Sequence, residues 1–587
     1  MGTLSPPGRP IPDAELGHYA PRRFVRGWRL CHHSPGRSIA LNLLLDAEFP
    51  FSVPRVALVD PPPPLTWPHV EDDGLLCLAP DGTAVSTERP QDSVEVVRWV
   101  IDDADRLMGD LVRTGLEDHF LDEFASYWTR GGETPGKEFR SLLTLTPGSR
   151  EIAVWRGEYY HLVADSPESC DTWLSHLGGH TRSTGRSIDK AAYVWLKRPP
   201  YPREYPRRAG GVGRLVDALS TDGRKVLEGM LRSCPEDLLI VFGAEWKGES
   251  ILAGVQLRKP KSYVSPGGRK VDRMEAGFRH GRAPASLIAA RYLGAATAPP
   301  RSRVVRVDGK WLHGKDRNAS WERLRESRVC VIGCGSLGAG VARLLAQAGV
   351  ASLDLVDDDH LDWPNTSRHA LGAGSVGQAK ADALARALLS DFPHLRAVRP
   401  WVSRWQDLAY PPALLGEANV IVSATGDWNS DSALSDLQRD EPSLPPIVFG
   451  WLEAHAAAAH GVLLDQGGPC LRCGFDPAGN PLCPVSAWPA AAPLPDGDCG
   501  GPFSPYGATE LAFGQAAIAR LVVDAVTGGV HAPLHHVWIA NRDLVDRSGG
   551  KWSAAWCAEH GDPGEGGGVR TVEWPTRGSC SRHEVAS

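Results

Sequence analysis

Two hydrophobic patterns alternate along the chain and predict a series of folded units. In residues 1–135, short apolar runs such as SIALNLLLDAEFP and VPRVALVD come first. They are bounded by proline and turn residues, as strands are. From residue 92 to residue 128 the apolar positions recur at helical spacing, as in VEVVRWVIDDADRLM. Strands followed by helices predict a small α+β domain.

The middle of the chain, residues 136–305, carries strand-like runs and proline-rich connectors. EIAVWRGEYYHLVA, EDLLIVFGAEW and SILAGVQL are the strand-like runs, and KRPPYPREYPRRAGG is a connector. No cluster of catalytic residue types occurs here. We therefore predict an α+β linker or docking domain.

Residues 306–560 alternate short β-rich runs with helical segments. VCVI, LDLV, VIVSA and IVFG are the β-rich runs, and AGVARLLAQAG and GQAKADALARALLSDF lie between them. This alternation predicts parallel strands with crossover helices, a doubly wound Rossmann-like domain. Residues 561–587, from GDPGEGGG onward, read as a flexible tail. The predicted fold class is thus multidomain α/β.

Composition limits the function classes. With 42% hydrophobic residues, 23% charged residues and a net charge of −7, the chain reads as a soluble globular protein with no feature that favours nucleic acid. The N-terminus has no signal-peptide core, and no run of about 18 apolar residues occurs. We expect a cytoplasmic protein without a membrane segment, so the twelve cysteines are better explained as buried residues, metal ligands or reactive thiols than as disulfides.

A nucleotide site is predicted where the run VCVI enters GCGSLG. Gly333, Gly335 and Gly338 permit a tight turn, and the following helix presents unpaired N–H groups to phosphate. The next strand ends in LVDDD, where a carboxylate can hold ribose hydroxyls. A dinucleotide oxidoreductase is an alternative that would account only for the glycine motif and the ribose acid. This alternative predicts that the protein binds nicotinamide.

The next segment, NTSRHALGAGSVGQAK, distinguishes the possible nucleotides. Arg368 and Lys380 are two cations beyond the ribose acid, and they suit a triphosphate attacked at its α-phosphorus. The alternative is that both form surface ion pairs. Asp427 ends the run VSATGD, a natural position for a magnesium ligand at the carboxyl edge of a parallel sheet.

These motifs resemble the adenylation domain of the ubiquitin-activating and ThiF/MoeB superfamily. GCGSLG, LVDDD, NTSR, the lysine of GQAK and the strand-end GD occur in the order found there. The resemblance implies ATP and Mg²⁺ as cofactors, with the ribose on Asp359 and magnesium on Asp427. It also implies phosphate contacts from Asn365, Arg368 and Lys380. Arg317 loosely resembles the arginine that reaches into the partner subunit's site.

The cysteines near the C-terminus extend the resemblance. PCLRC supplies Cys470 and Cys473, which resemble the zinc-binding CxxC of the family, but a closed zinc site needs four ligands. The second CxxC of the family is absent, and CAEH offers Cys557 and His560 instead. The alternative is a degraded site with buried thiols.

Cys499 lies in a loop rich in glycine and proline, where thioester-forming relatives carry their nucleophile. The resemblance implies that Cys499 accepts the acyl group from the adenylate. Cys483 is the alternative nucleophile.

The N-terminal segment FPFSVPRVALVDPPPPLTWPHVEDDGLLCL resembles the ubiquitin-conjugating fold. The resemblance implies that Cys77 is an acceptor thiol, with His69 near the position of the HPN-type histidine. The asparagine of that motif, which stabilises the oxyanion during amine attack, has no equivalent in WPHVED. The alternative is an inactive domain in which Cys77 is merely buried.

The order of conjugating-like domain, linker and adenylation domain resembles the CD-NTase-associated protein two family of bacterial CBASS antiphage operons. The resemblance implies a homodimer that joins the C-terminus of a CD-NTase cyclic-nucleotide synthase or a ubiquitin-like protein to target lysines. The acyl group would pass from Cys499 to Cys77. A sulfur-carrier adenylyltransferase of the ThiF/MoeB type and a non-catalytic scaffold remain open as alternatives.

Overall fold

The computed structural model divides the chain into two compact units. One comprises residues 1–170 and 185–306, and the other comprises residues 171–184 and 307–587. The structure describes residues 3–4, 8–20, 22–34, 37–78, 93–114, 116–131, 136–177, 187–233, 236–264, 268, 270–279, 281–295, 297–409, 411–489 and 506–577.

The first unit begins with a small antiparallel sheet followed by helices. Its elements are β1 (Thr3–Leu4), α1 (Asp13–Leu16), β2 (Phe24–Ser34), β3 (Arg37–Asp46), β4 (Arg55–Leu58), α2 (Ser93–Thr114), α3 (His119–Asp122) and α4 (Phe124–Trp128). The strands pair in the order β1-β2-β3-β4. Apolar residues recur every four positions along α2, so Val100, Ala104 and Met108 pack against Leu41 and Val56 of the sheet. The predicted order of strands before helices is confirmed.

The rest of the first unit is built on an eight-stranded mixed sheet. Its elements are β5 (Glu138–Ser141), β6 (Arg150–Arg156), β7 (Tyr160–Ala164), α5 (Pro167–His176), β8 (Ile188–Trp195), α6 (Ala209–Leu219), α7 (Gly223–Ser233), β9 (Leu238–Trp246), β10 (Glu249–Leu257), β11 (Tyr263–Val264), β12 (Lys270–Val271), α8 (Ala285–Leu293), β13 (Arg301–Ser302) and β14 (Val304–Arg306). The sheet order is β13-β10-β9-β8-β6-β7-β5-β14. Phe124 and Trp128 of α4 belong to the same buried cluster as Leu227 of α7, and Trp128 Nε1 donates to Gly254 O at 3.0 Å. Helix α4 is therefore packed into this part of the unit.

The second unit is a doubly wound domain with an antiparallel extension. Its numbered elements, after the C-terminal part of α5, are α9 (Gly309–Leu312), α10 (Trp321–Leu324), β15 (Arg328–Ile332), α11 (Ser336–Ala348), β16 (Ser352–Val356), α12 (Lys380–Asp391), β17 (Ala397–Trp401), α13 (Pro411–Leu415), β18 (Val420–Ser423), α14 (Trp428–Asp440), β19 (Ile447–Leu452), β20 (Ala458–Leu464), β21 (Ser486–Ala487), α15 (Ala508–Val526), β22 (Leu534–Ile539), α16 (Arg542–Arg547), β23 (Lys551–Trp552), α17 (Ala554–His560) and β24 (Gly568–Val572).

The main sheet of this unit has the order β17-β16-β15-β18-β19-β20-β22-β24. The strands from β17 to β19 are parallel, and β20, β22 and β24 add on in antiparallel pairs. The four predicted β-rich runs are β15, β16, β18 and β19, so the parallel half of the sheet is confirmed. Strands buried on both faces read as continuous apolar runs, which is why this half is legible in sequence.

The prediction of a flexible tail from residue 561 is wrong for residues 561–577. Strand β24 pairs with β22 along its length, from His535 opposite Val572 to Ile539 opposite Gly568. Beyond it, the Trp574 side chain is buried among aromatic residues, and its Nε1 donates to Cys470 O at 3.0 Å. The apolar burial and backbone pairing of this segment make it part of the fold. Residues 578–587 lie outside the described residues.

Within the described residues, no helix is both long enough and apolar enough to cross a membrane. Helix α2, with 22 residues, interrupts its apolar positions with charged ones in SVEVVRWVIDDADRLMGDLVRT.

Candidate functional site

The glycine turn lies at the carboxyl edge of the parallel sheet, between the ends of three adjacent strands. Strand β15 pairs with β16 on one side and β18 on the other. The Gly333 N–H donates to Val356 O at 2.9 Å, and the Ala424 N–H donates to Ile332 O at 2.8 Å. Parallel strands with crossover helices bind ligands at this edge, where the strand order reverses.

The three glycines of the turn have different reasons to be glycine. Gly333 has φ +86°, and an added Cβ would lie 2.8 to 2.9 Å from backbone atoms of Ala424 and Thr425. At Gly338 an added Cβ would lie 1.9 Å from Gly333 O, whereas at Gly335 it would meet nothing within 4 Å. Gly333 and Gly338 are thus required for packing. Gly335 leaves open space at the N-terminus of α11, where unpaired N–H groups can receive phosphate.

The carboxylate of Asp357, which was not among the predicted site residues, holds the turn. Asp357 Oδ2 accepts the Cys334 N–H at 2.6 Å, and its Oδ1 accepts the Asp359 N–H at 2.8 Å. Burial raises the pKa of Asp357, and these two backbone hydrogen bonds oppose the rise. One side chain therefore fixes both the glycine turn and the acid predicted to bind ribose.

Asp359 and Lys380 form an ion pair at the N-terminus of α12. Lys380 Nζ donates to Asp359 Oδ2, and the Lys380 side chain is 10% exposed whereas that of Asp359 is 67% exposed. Burial acts to raise the pKa of Asp359, but the hydrogen bonds from Lys380 and from the His360 N–H outweigh it and lower the pKa. The predicted ribose acid is thus ionised and open to solvent, beside the predicted phosphate-binding lysine.

Arg368 and Asn365 lie in one turn that reaches the glycine turn through other residues. Asn365 O accepts the N–H groups of Arg368 at 3.0 Å and His369 at 2.9 Å. His369 Nε2 lies 2.7 Å from Cys334 O, while its Nδ1 accepts the Leu371 N–H at 3.0 Å, so Nε2 donates to Cys334. Burial lowers the pKa of His369, consistent with this neutral tautomer.

Tyr506 connects Arg368 to the helix that follows the glycine turn. The Arg368 guanidinium lies over the Tyr506 ring, 5.5 Å from its centroid. The Tyr506 hydroxyl lies 2.8 Å from Ser336 Oγ in the first turn of α11. Gln515 Nε2 donates to Ser336 O at 2.7 Å, which ties α15 to the same turn.

Asp427 stands at the carboxyl end of β18 and fits a magnesium ligand. Its Oδ1 accepts the Asn429 N–H at 2.9 Å as the N-cap of α14, and the residue is exposed. Magnesium in nucleotide sites needs only one or two carboxylates beside the phosphates. The neighbouring Asp431 is buried and accepts hydrogen bonds from Ser423 and Thr425, so it has a structural role.

The predicted zinc site is not assembled. Cys470 Sγ and Cys473 Sγ lie 3.8 Å apart and are buried. However, the described part of the chain holds no group of three or more His, Cys, Asp or Glu side chains that could bind a metal ion. Cys557 and His560 on α17 therefore do not complete a four-ligand site with this pair. The spacing within PCLRC fixes two thiols locally, but nothing in the sequence fixes which other ligands reach them.

Of the two candidate nucleophiles of the second unit, Cys483 lies within the described residues. Cys499 lies outside the described residues. Cys483 is half-buried against Val485 and Trp556, and burial raises its pKa, with a further rise from the charge of Glu559.

The chain segment that enters the Cys499 region is held by Glu453. The carboxylate of Glu453 accepts the N–H of Val485 at 2.6 Å and of Ser486 at 2.8 Å. His460 Nε2 lies 3.0 Å from Glu453, and His460 Nδ1 lies 3.0 Å from His535 Nε2. Burial acts to raise the pKa of Glu453. The interaction with His460 and the hydrogen bonds from Ser486 and the Val485 N–H outweigh burial, so the pKa is lowered.

In the first unit, Cys77 lies opposite His69 at the mouth of a short hairpin. The Cys77 N–H donates to His69 O at 2.8 Å, and the Glu71 N–H donates to Leu75 O at 2.8 Å across the same hairpin. The Cys77 side chain is exposed, so the alternative of a buried thiol is wrong. Partial burial raises the pKa of Cys77, and the carboxylates of Glu123 and Glu71 raise it further.

A cavity of about 580 Å³ adjoins this cysteine. Its lining includes Cys77, Arg55, Val53 and Trp99. Apolar side chains and the Arg55 guanidinium thus line one cavity together with Cys77.

Three residues of these sites were not predicted from the sequence. Asp357 carries a weak signal because it belongs to LVDDD, but the ribose-binding role was assigned to Asp359 of the same motif. Tyr506 and His119 carry no local signal, because they reach Ser336 and His69 across 170 and 50 residues of chain.

Two segments of the chain match known protein families. Residues 314–528 match the ThiF family, and residues 8–134 match Prokaryotic E2 family B. The ATP-dependent ubiquitin transferase-like protein Cap2 of Pseudomonas aeruginosa is 23% identical over 530 residues, which cover 86% of this chain and 89% of that protein. The Cap2 of Vibrio cholerae is 25% identical over 374 residues, 61% of this chain and 62% of that protein. The molybdopterin-synthase adenylyltransferase of Escherichia coli is 36% identical over 153 residues, 26% of this chain and 60% of that protein.

These similarities confirm the predicted fold class, a multidomain α/β protein with a conjugating-like N-terminal domain and a Rossmann-like adenylation domain. They also confirm the resemblance to a fusion of an activating and a conjugating domain.

Proposed function

We propose that this Cap2-like chain, which joins a ThiF-family segment to a Prokaryotic E2 family B segment, is an ATP-dependent protein ligase. The observation that carries the proposal is that one chain combines a glycine turn at the carboxyl edge of a parallel sheet with an exposed thiol, Cys77, in a conjugating-like domain. An adenylation site alone would need no second thiol in another domain.

The first step is activation of a donor protein's C-terminal carboxylate. The carboxylate oxygen attacks the α-phosphorus of ATP, and pyrophosphate leaves, which gives an acyl adenylate. Lys380 and Arg368 offset the charge that develops on the phosphoryl oxygens, and the N-terminus of α11 receives phosphate at Gly335. Asp359 orients the ribose. Magnesium held by Asp427 would neutralise phosphate charge when bound.

The later steps pass the acyl group between thiols. A thiolate of Cys499 attacks the adenylate carbonyl and releases AMP. Cys77 then exchanges with Cys499, which preserves the thioester because one C–S bond replaces another. We favour Cys499 over Cys483 because the glycine- and proline-rich loop of Cys499 resembles the place where thioester-forming relatives carry their nucleophile, and because Cys483 is half-buried. A lysine amine finally attacks the thioester on Cys77 and forms an isopeptide bond.

The choice of donor rests on the resemblance to the CD-NTase-associated protein two family. We propose a CD-NTase cyclic-nucleotide synthase or a ubiquitin-like protein as donor, lysines of other proteins as targets, and antiviral defence as the setting. We also propose a homodimer, in which Arg317, exposed in the turn after α9, reaches the nucleotide site of the partner copy.

The proposal is tested by incubating the chain with ATP, Mg²⁺ and a CD-NTase or ubiquitin-like protein encoded beside its gene. We expect donor-dependent release of AMP and pyrophosphate, and a protein adduct that thiols reduce. The matched control is the same donor with an amidated C-terminus, which has no carboxylate to activate and should release neither product. Release of AMP without any thiol adduct would instead favour a sulfur-carrier adenylyltransferase, and release of neither product with any donor would favour a non-catalytic scaffold.

A further inference from the structure

The conjugating-like domain lacks the asparagine of the HPN-type motif, yet a second histidine lies beside His69. His119 is the first residue of α3, 50 positions along the chain, and its Nδ1 lies 2.8 Å from His69 Nε2. The two rings meet edge to face with centroids 5.0 Å apart. A hydrogen bond between two imidazoles requires one nitrogen to donate and the other to accept, so the pair is coupled in its protonation.

The histidine pair is held close to the reactive cysteine. The Cys77 N–H donates to His69 O at 2.8 Å, and the His69 N–H donates to the Tyr127 hydroxyl at 2.7 Å. His69 adopts φ +58°, a left-handed conformation that is uncommon for a residue with a side chain. Such strain persists where the surrounding contacts impose it, and here the two backbone hydrogen bonds do so.

A carboxylate completes the group. Glu123 Oε1 lies 3.7 Å from His69 Nδ1, close enough to stabilise a charged imidazole, and the Glu123 side chain is 42% exposed. Both ring nitrogens of His69 thus face a partner, Glu123 on one side and His119 on the other. Within the described residues, His119 Nε2 has no hydrogen-bond partner, so it is the atom at which a proton can enter the group.

We propose that His119, coupled to His69 and Glu123, is the base that accepts the proton of the attacking lysine amine during transfer from Cys77. The inference deepens the proposed ligase function and rests on it. It assigns to this group the deprotonation of the amine, a step separate from the oxyanion stabilisation that the missing asparagine would provide.

Transfer to lysine moves one proton to the histidine pair and one to the leaving thiol. His119 Nε2 takes a proton from the lysine ammonium, and the neutral amine then attacks the thioester carbonyl, which forms the C–N bond. The Nδ1 proton of His119 can shift to His69 Nε2, which leaves the positive charge beside Glu123. The C–S bond then breaks, its electron pair stays on Cys77 Sγ, and the remaining surplus proton of the attacking nitrogen passes to that thiolate, whose raised pKa favours protonation.

The test measures single-turnover discharge of the Cys77 adduct. The full chain is loaded with donor and ATP, magnesium is then chelated, and loss of the adduct is followed after adding either free lysine or hydroxylamine. Lysine must lose a proton to react, whereas hydroxylamine is already neutral at neutral pH. For His119→Gln we expect loading as in wild type, lysine discharge slowed about a hundredfold, and hydroxylamine discharge within about twofold, since general bases contribute roughly 10²–10⁴.

Two further variants keep the result interpretable. Glu123→Gln removes the partly exposed carboxylate that stabilises a charged imidazole, and we expect lysine discharge slowed about tenfold. His18→Gln changes an exposed histidine of the same domain and should discharge as wild type.

Lysine discharge at the wild-type rate in His119→Gln overturns the inference while leaving the ligase function intact. Equal slowing with both amines also overturns it, because the role would then be structural. If the wild type carries no adduct on Cys77, both the proposed function and the inference fail.

Discussion

Replacement of Gly338 by alanine tests the geometry of the nucleotide site. The new Cβ would lie 1.9 Å from Gly333 O, and the contact has to lengthen by about 1.1 Å to reach the 3.0 Å at which such contacts begin to occur. Because the obstructing atom is backbone, no side chain can swing aside. The substitution therefore forces the glycine turn and the N-terminus of α11 apart.

The expected magnitude combines two opposing terms. Overpacking costs about 1 to 3 kcal/mol, and a backbone contact belongs at the upper end. Alanine regains about 1 kcal/mol of helix propensity over glycine inside α11. The net loss of about 2 kcal/mol corresponds to a fall in Tm of about 4 to 8 °C for a domain of roughly 200 residues. Loss of one aligned N–H to phosphate costs about 1.5 to 3 kcal/mol, which weakens ATP binding between about tenfold and a hundredfold.

Gly335→Ala is the matched control within the same motif. Its Cβ would meet no atom within 4 Å, so we expect a Tm close to wild type. Its ATP affinity should still fall if phosphate approaches the backbone there. Thermal unfolding and isothermal titration with ATP measure both quantities without a donor. A wild-type Tm together with wild-type ATP affinity in Gly338→Ala would refute the reasoning. Unchanged ATP affinity in Gly335→Ala would show that phosphate does not bind at this turn.

Three further predictions follow from other contacts. Trp574→Ala should lower the free energy of unfolding by about 3 to 5 kcal/mol because the side chain is buried, whereas Trp363→Ala, whose residue is 64% exposed, should change it by less than about 0.5 kcal/mol; equal effects in chemical denaturation would contradict the placement of β24 and Trp574 in the fold. Glu453→Gln should cost about 1.5 to 3 kcal/mol at neutral pH, since a charged acceptor of buried N–H groups is lost. The lowered pKa of Glu453 means that its contribution is intact above the unfolded value of about 4.3 and is lost as pH falls through the lower folded value, so the two proteins should converge in acid; a constant difference in unfolding free energy across the pH range would show the reasoning to be wrong. Lys380→Met should fold normally, because Asp359 remains solvated, but weaken ATP binding roughly 30- to 150-fold in titration calorimetry, and retained affinity would exclude Lys380 as a phosphate ligand.

The parallel half of the adenylation sheet could be predicted because its signal is local. Strands β15 and β18 are apolar and almost wholly buried, and the motifs that follow them meet because adjacent parallel strands end at one edge. The position of Gly333 beside Ala424 is a direct consequence. Spacing along the chain was enough for this part of the site.

The remaining features depend on contacts that spacing does not encode. Strand β24 follows a glycine-rich stretch and pairs with a strand about 30 residues away, so its sequence alone resembled a tail. The predicted ligand set of Cys470, Cys473, Cys557 and His560 is not brought together within the described residues for the same reason, because CxxC fixes two ligands while the others must come from tertiary packing. Tyr506 and His119 are isolated polar aromatics whose partners lie far along the chain.

The central claim is that one acyl group passes through two cysteines of this chain, and intact-protein mass spectrometry with nonreducing gels tests it most directly. Wild type, Cys499→Ala and Cys77→Ala are each incubated with ATP, Mg²⁺ and donor. We predict that Cys77→Ala retains a reducible adduct on Cys499, that Cys499→Ala forms none, and that wild type alone transfers donor to lysine. A reducible adduct on Cys77 in Cys499→Ala, or lysine conjugates formed by Cys77→Ala at the wild-type rate, would contradict the two-cysteine relay.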